Sequence, residues 1–438
     1  MAKRYDVLAT SILFFFLIAL FAIIIIRFPA VYVWATYEDL LGEWTQVAFF
    51  AIALFFSLRL ALSRSRFRAF FALLALACLY VVGEEISWGQ RLFAITTPDF
   101  FTRHNLQQET NLHNLFTGPY RTGLKRAIEV VLVAGFILYG IVYPAALRRK
   151  RQEALWLDRI GIAAPPLALS PFFAGAALLE MRLFTFNEAE IAEILLSLAL
   201  ALFCLSCWQR HWQETHHITI TSGRRALAIL LLAILGTGLG AVITVATLQV
   251  PRLQTEMEAR VEKGMMKFAE RYGRYGAWDN AASLYQQLHE RHPKNTDILR
   301  RLARSEQQLG NGERFTELNA KAIQLDMARY GRDPDNIGVN LSLHKTFLQA
   351  GFPVKAAFHL QRALATGTRE TQLDPYNARA AYWLARCYLT AGDMSSAITA
   401  MKKAVDLQPE STAYRNALAR ITLRQKYGEE DEGGENEG

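Results

Sequence analysis

ARAAYWLARCYLTAGDMSSAITAMKKAVDLQPES, residues 378–411, decides the fold. Its Leu384, Ala385, Tyr388, Gly392, Ala397, Met401, Ala404 and Pro409 fall at the offsets that a pair of packed antiparallel helices requires, with small residues where the helices touch. The same offsets recur at Phe268, Ala269, Tyr272, Gly276, Ala281, Tyr285, Leu288 and Pro293, and 34 residues later at Leu302, Ala303, Gly310, Phe315, Ala322 and Met327. A looser copy runs through Leu343, Phe347, Gly351, Ala356, Leu360 and Ala363.

A fixed period of this length marks a repeat architecture, and the pattern resembles the tetratricopeptide repeat family. The resemblance implies copies at 262–295, 296–329, 337–370 and 378–411, with a closing amphipathic helix at 412–425. Each copy is expected to be a helical hairpin whose apolar side cannot be covered alone, so neighbours stack into a right-handed superhelix with one concave face. In proteins with this repeat, defined positions of each first helix line that face. The resemblance therefore assigns partner binding to Lys263, Arg300, Arg304, Lys345, Arg379, Tyr382 and Arg386, opposed by Glu270 and Asp297. Guanidinium forks favour carboxylate or phosphate groups, so the expected guest is an acidic peptide, a protein C-terminus or an anionic glycan.

Residues before the repeats are apolar in runs of bilayer length, at 7–26, 44–62, 67–82, 127–147, 160–179, 188–208 and 226–250. The first run follows Lys3 and Arg4 but exceeds the core of a signal peptide, and reads as an uncleaved span. With the N-terminus inside, the inner loops collect Arg64, Arg66 and Arg68, then Arg148, Arg149, Lys150 and Arg151, then Arg210, Arg224 and Arg225. Seven spans then place Pro251 and all that follows on the outer side, the periplasm of a bacterium with two membranes. The expected fold class is all-α: a polytopic transmembrane helical bundle of about seven spans in residues 1–250, a linker at 251–261, and a soluble tetratricopeptide-like α-solenoid at 262–427. An acidic, glycine-rich tail at 428–438 reads as disordered.

Hydrophobic residues make up 52% and charged residues 20% of the chain, too apolar for a soluble repeat protein. The net charge of +8 reads as membrane orientation and contact with the lipid bilayer rather than with nucleic acid. Of the four cysteines, Cys204 and Cys207 form a C-x-x-C pair that reads as small packing residues in a spanning helix, and Cys387 is expected at a packed repeat position.

Chemistry is most concentrated in the outer loop after the third apolar run. GEEISWGQR, 83–91, leaves that run directly. If the helix continues, Glu84, Ser87, Trp88 and Arg91 share a face. Thr97-Pro98-Asp99 then starts a new helix, followed by RHNLQQETNLHNLF, 103–116, in which Glu109 and His113 stand four apart. A carboxylate and an imidazole at that spacing suit a divalent metal or an acid/base pair. The catalytic candidates are Glu84, Glu85, Ser87, Arg91, Glu109 and His113, and the metal candidates Glu109 and His113. Glu180, Asn187, Glu188, Glu190 and Glu193 fall on the same side. Residues 83–116 also resemble an uncharacterised family of bacterial multispanning membrane proteins, a resemblance that brings no activity.

Two functions are therefore expected: a bacterial inner-membrane scaffold presenting periplasmic repeats to an envelope protein or anionic polymer, and, as the alternative, a metal-dependent hydrolase or transferase on a lipid-linked substrate. No H-E-x-x-H, G-x-S-x-G or glycine-rich phosphate loop is present.

Overall fold

The computed structural model describes residues 2–90, 95–104, 110–112 and 122–427. Among them the regular structure is entirely helical, with no strand. The chain divides into two compact units, one of Met1–Thr102, Gln108–Phe116 and Gly123–Gly264, the other of Arg103–Gln107, Thr117–Thr122 and Met265–Gly438.

Among the described residues of the first unit, five helical segments are long and apolar enough to cross a membrane: Val7–Arg27, Pro29–Ala61, Arg126–Arg148, Glu188–His216 and Ser222–Leu248. The two other expected spans fall short for different reasons. Arg68–Glu85 is an 18-residue helix with Arg68 at one end and Glu84 and Glu85 at the other. The 160–179 run is interrupted at Pro165 and Pro166, leaving an 11-residue helix, Ser170–Glu180. At about 1.5 Å per residue that helix covers roughly half of a ~30 Å hydrocarbon layer.

The centre of this unit is the helix Leu41–Ala61, packed against Arg68–Glu85, Glu188–His216 and Ser222–Leu248. Phe49, Ala53, Leu60, Phe172, Leu195, Leu198 and Phe203 are fully or almost fully buried there. Contact with the last helix is made through glycines. A Cβ on Gly236 would collide with the Phe49 ring, and one on Gly240 would meet the Thr45 backbone at 2.7 Å, whereas Gly238 between them faces open space. Small residues four apart allow this close approach. Elsewhere the surface is greasy: Phe15, Phe16, Leu73, Leu76, Val130, Val131, Ile234 and Val242 are exposed.

Residues 251–261, expected as a linker, are the opening turns of a 24-residue helix, Pro251–Arg274. The second unit continues with hairpins Thr296–Gln308/Gly312–Tyr330, Ile337–Gln349/Pro353–Leu373 and Ala378–Ala391/Met394–Leu407, closed by Thr412–Tyr427. Before them, Trp278–Arg291 completes a hairpin with the end of Pro251–Arg274. Each first helix gives way to a glycine at positive φ, namely Gly276, Gly310, Gly351 and Gly392, a backbone state that other residues adopt at a cost. Asn295, Asn336 and Asn377 cap three successive first helices with their side-chain oxygens.

The spacing is not uniform. First helices start at Thr296, Ile337 and Ala378, 41 residues apart in each case. The second helices take most of the extra length: Pro353–Leu373 is 21 residues long against 14 in Trp278–Arg291 and Met394–Leu407, while Gly312–Tyr330 is 19 and the connection after it is two residues longer. In Pro353–Leu373 the seven added residues make about two turns, so the apolar face returns to register. Ala381, Ala385, Ile398, Met401, Ala404 and Ile421 form one core cluster, and Ile337, Leu341, Ala363 and Cys387 another.

Candidate functional site

Polar residues in the first unit begin where the helix Arg68–Glu85 ends. The helix does not run on through 83–91: Ile86 is its C-cap, and Ser87, Trp88 and Gly89 all take positive φ. Trp88 folds back so that its ring lies against Gly83 and its Nε1 donates to Glu84 Oε1 at 2.8 Å. Glu84 Oε2 accepts the backbone N–H of Leu112 at 2.7 Å, Asn111 Nδ2 lies 3.4 Å from Ser87 Oγ, and Gln90 Oε1 accepts the Thr110 N–H at 2.6 Å. The two halves of the 83–116 signature are thus each other's partners. Glu84, Ser87 and Gln90 clip Thr110–Leu112 in place, and Glu84 and Ser87 are buried in doing so. Arg91, Glu109 and His113 lie outside the described residues.

Glu85 points elsewhere, as consecutive helical residues must. Gln46 Nε2 is 3.4 Å from Glu85 Oε1. Glu85 also lines a cavity of about 40 Å³ with Asp39, Trp44, Thr247, Met257 and Arg260. Arg260 forms ion pairs with Asp39 and, at 3.4 Å, with Glu38. Glu38, Glu43, Glu190 and Glu193 are within electrostatic reach of Glu43 or Glu85. Of this group, Glu38, Asp39, Glu43 and Arg260 were not anticipated; the break of the apolar pattern by Glu38-Asp39 and again at Glu43 was the available signal. Glu188 instead accepts three backbone N–H groups, from Phe184, Thr185 and Phe186, at 2.5–2.9 Å, and Glu180 lies 3.9 Å from Arg182. Among the described residues no group of three or more His, Cys, Asp or Glu is arranged to hold a metal ion. Cys204 is buried with its Sγ 3.2 Å from Ser57 Oγ, and Cys207 is a free thiol.

The second unit gathers cations. Arg300, Lys345 and Arg386 come from the first helices of three successive hairpins, and those helices touch in sequence. Arg300 pairs with Asp297 and is largely covered. Arg301, not Arg300, reaches Glu270, and it binds Asp297 at 2.7 Å as well. Lost hydration, followed by the charges of Arg300 and Arg386, pulls the Lys345 ammonium below its ordinary range. For Asp297, burial pushes the carboxyl up, but Arg301 and Arg300 outweigh it and hold the group low.

Four cations, Arg300, Arg301, Lys345 and Arg386, therefore face three carboxylates, Glu270, Asp297 and, in electrostatic reach of Arg300, Asp326, and the surplus is positive. Arg386 lies over Trp383 at 5.3 Å and Tyr382 at 5.9 Å, while Tyr382 stacks on Tyr414 with centroids 5.1 Å apart. Arg304 and Arg379 are exposed on the same first helices as Arg300 and Arg386. Lys263 belongs to the first unit, whose last residue is Gly264.

Residues 347–421 match a family model described as tetratricopeptide repeat. Solved structures similar to the chain include a thermophilic tetratricopeptide-repeat protein of Thermus thermophilus, 20% identical, covering 37% of this chain and 82% of its own, with a TM-score of 0.22. MamA from Desulfovibrio magneticus is 21% identical, covers 38% and 86%, and has a TM-score of 0.17. Yeast Tom70 is 14% identical, covers 88% and 81%, and has a TM-score of 0.20. Comparison with curated proteins gives no match. Residues 347–421 of this chain are thus tetratricopeptide repeats, a type of repeat that serves protein interaction.

Proposed function

We propose that this protein is a bacterial inner-membrane scaffold whose tetratricopeptide repeats, on the periplasmic side, bind an acidic protein partner. The carrying observation is the surplus of cations around Lys345, contributed by consecutive first helices and flanked by the Tyr382, Trp383 and Tyr414 rings. Guanidinium and ammonium groups held together in this way gain most from a carboxylate-rich guest, and the aromatic rings add apolar contact beside it. Membrane anchoring is supported by five helices of spanning length and by their exposed apolar faces, which water alone does not tolerate at this extent. The orientation rests on the arginines of the short loops.

An enzymatic role is not favoured, because Glu84 and Ser87 are spent on holding the 110–112 segment and Glu188 on holding its own helix start. A photo-crosslinking amino acid at Tyr382 in the full chain tests the scaffold directly. It should capture one acidic envelope protein, and Lys345→Glu with Arg386→Glu should remove the adduct. Unchanged capture in the double variant contradicts the assignment.

A further inference from the structure

The cations of the second unit are matched in sign by a segment of the same chain. Lys345 and Arg386 are exposed, as are Arg304 and Arg379 on neighbouring turns of the first helices. Lys345 stands within reach of the charges of Arg300 and Arg386, and Glu270, Asp297 and Asp326 leave the set positive. Residues 428–438, GEEDEGGENEG, carry Glu429, Glu430, Asp431, Glu432, Glu435 and Glu437 and no Lys or Arg. They lie outside the described residues. The other undescribed segments assigned to this unit, within 103–107 and 117–122, contain no Asp or Glu, so every undescribed carboxylate of the unit belongs to the acidic run.

The closing helix starts at the groove and sets how far the run must return. Tyr414, in the first turn of Thr412–Tyr427, stacks on Tyr382 with centroids 5.1 Å apart, and the Arg386 guanidinium lies over the Tyr382 ring at 5.9 Å. From Tyr414 the helix continues to Tyr427, roughly 20 Å at the ordinary rise per residue. Glu435 and Glu437 follow Tyr427 by stretches that extended chain spans in up to about 26 and 33 Å. The way back to Arg386 is therefore within reach, and Gly428, directly after the helix, admits the reversal of direction it requires. A tether this short gives an effective concentration of millimolar order, at which even a few weak, exposed ion pairs are formed.

We infer, resting on the groove as the site of an acidic partner, that the run 429–437 folds back in cis onto that groove, with Glu435 and Glu437 at Arg386 and Lys345, and competes with the partner for it. The test titrates the full chain in neutral detergent, at a salt concentration of about 50 mM, with a fluorescent deca-glutamate peptide. The comparison is a variant with Glu429, Glu430, Glu432, Glu435 and Glu437 changed to Gln and Asp431 to Asn. Two or three exposed ion pairs amount to roughly tenfold, so this variant should bind the peptide on the order of ten times tighter, and the gain should shrink as salt is raised to about 0.5 M. Lys345→Glu with Arg386→Glu should abolish binding with either form of the run; thermal unfolding checks that this variant is folded, and Arg386→Gln takes its place if it is not. A photo-crosslinking amino acid at Tyr382 in the purified protein should join to a peptide from 428–438 with a yield independent of protein concentration. Equal, groove-dependent binding by the two forms overturns the inference and leaves the groove standing, whereas no binding by either removes the groove as well. A gain that survives reversal of the groove charges, or a crosslink whose yield rises with protein concentration, puts the run elsewhere or on a second copy and also overturns it.

Discussion

The indole N–H of Trp88 donates to the Glu84 carboxyl over 2.8 Å, across a turn in which Ser87, Trp88 and Gly89 all carry positive φ. For Ser87 and Trp88 the left-handed state costs on the order of 1–2 kcal/mol each. It is held because Glu84 is buried and its other oxygen is taken by Leu112.

Replacing Trp88 by Phe keeps a ring over Gly83 but removes the donor. Losing one hydrogen bond at a buried carboxyl group costs about 1–3 kcal/mol. The thermal midpoint in detergent should fall, and Thr110–Leu112 should become open to proteolysis. An unchanged midpoint and unchanged protection remove the clip from the account.

Gly236, Gly238 and Gly240 offer a comparison within one helix. Gly240→Ala drives a Cβ into the Thr45 backbone at 2.7 Å, where nothing flexible can yield, and overpacking of this kind costs about 1–3 kcal/mol. Gly238→Ala meets nothing and should be neutral or stabilising by up to about 1 kcal/mol, the ordinary gain of Ala over Gly in a helix. Opposite signs in two thermal melts are expected.

The repeat unit should weaken in mild acid. His359 is buried, with Nδ1 2.9 Å from Asn340 Oδ1 and its ring stacked on Phe347 at 5.6 Å. Burial, then Arg362 and His344, lowers its pKa from the ordinary 6.5. A folded pKa below the unfolded one means that stability is complete above pH 6.5 and is lost as pH falls through the folded value. Urea midpoints of the repeat unit within the full chain should drop between pH 7.5 and 5, and His359→Gln should flatten that slope. His289, also lowered by burial and then by Lys321 and Arg314, accounts for a remaining part.

Asp326 sits at the junction of three helices, accepting from Ser342 Oγ at 2.5 Å and from Thr296 Oγ1 at 3.2 Å. Asp326→Ala leaves the two hydroxyls only their mutual contact at 3.2 Å and takes from Arg329 its carboxylate at 3.3 Å, and should cost about 1–3 kcal/mol, whereas Asp326→Asn keeps one acceptor and should cost less. Hydrogen exchange of Thr296–Gln308 and Ile337–Gln349 reports the difference.

The repeats were legible because their determinants are local. Gly392, Ala397 and Ala404 are read within one hairpin, and the packing they encode needs no distant partner. The seven residues added after the second and third copies appeared in sequence only as gaps between copies; all seven enter the second helix Pro353–Leu373, where they make about two turns, and five enter Gly312–Tyr330. What escaped the sequence is long-range. Arg260 meets Glu38 across 222 positions, and Glu84 meets Leu112 across 28. No local pattern pairs such residues, so the signature at 83–116 read as an open loop of candidate catalysts. Helix continuation beyond Glu85 failed for the same reason, since a tertiary bond to Glu84 overrides local preference at Ser87 and Trp88. The glycines at 236 and 240 were in plain view, absorbed into an apolar run when their spacing of four already marked a contact face.

One labelling experiment tests the scaffold reading most directly. Ser395 is exposed on the repeats, and Ser395→Cys in a background with Cys207→Ala offers a single reactive thiol there, since the remaining cysteines are buried. With the outer membrane opened and the inner membrane intact, a membrane-impermeant maleimide should label this cysteine fully. Labelling that appears only after the inner membrane is broken would place the repeats in the cytoplasm and contradict the account.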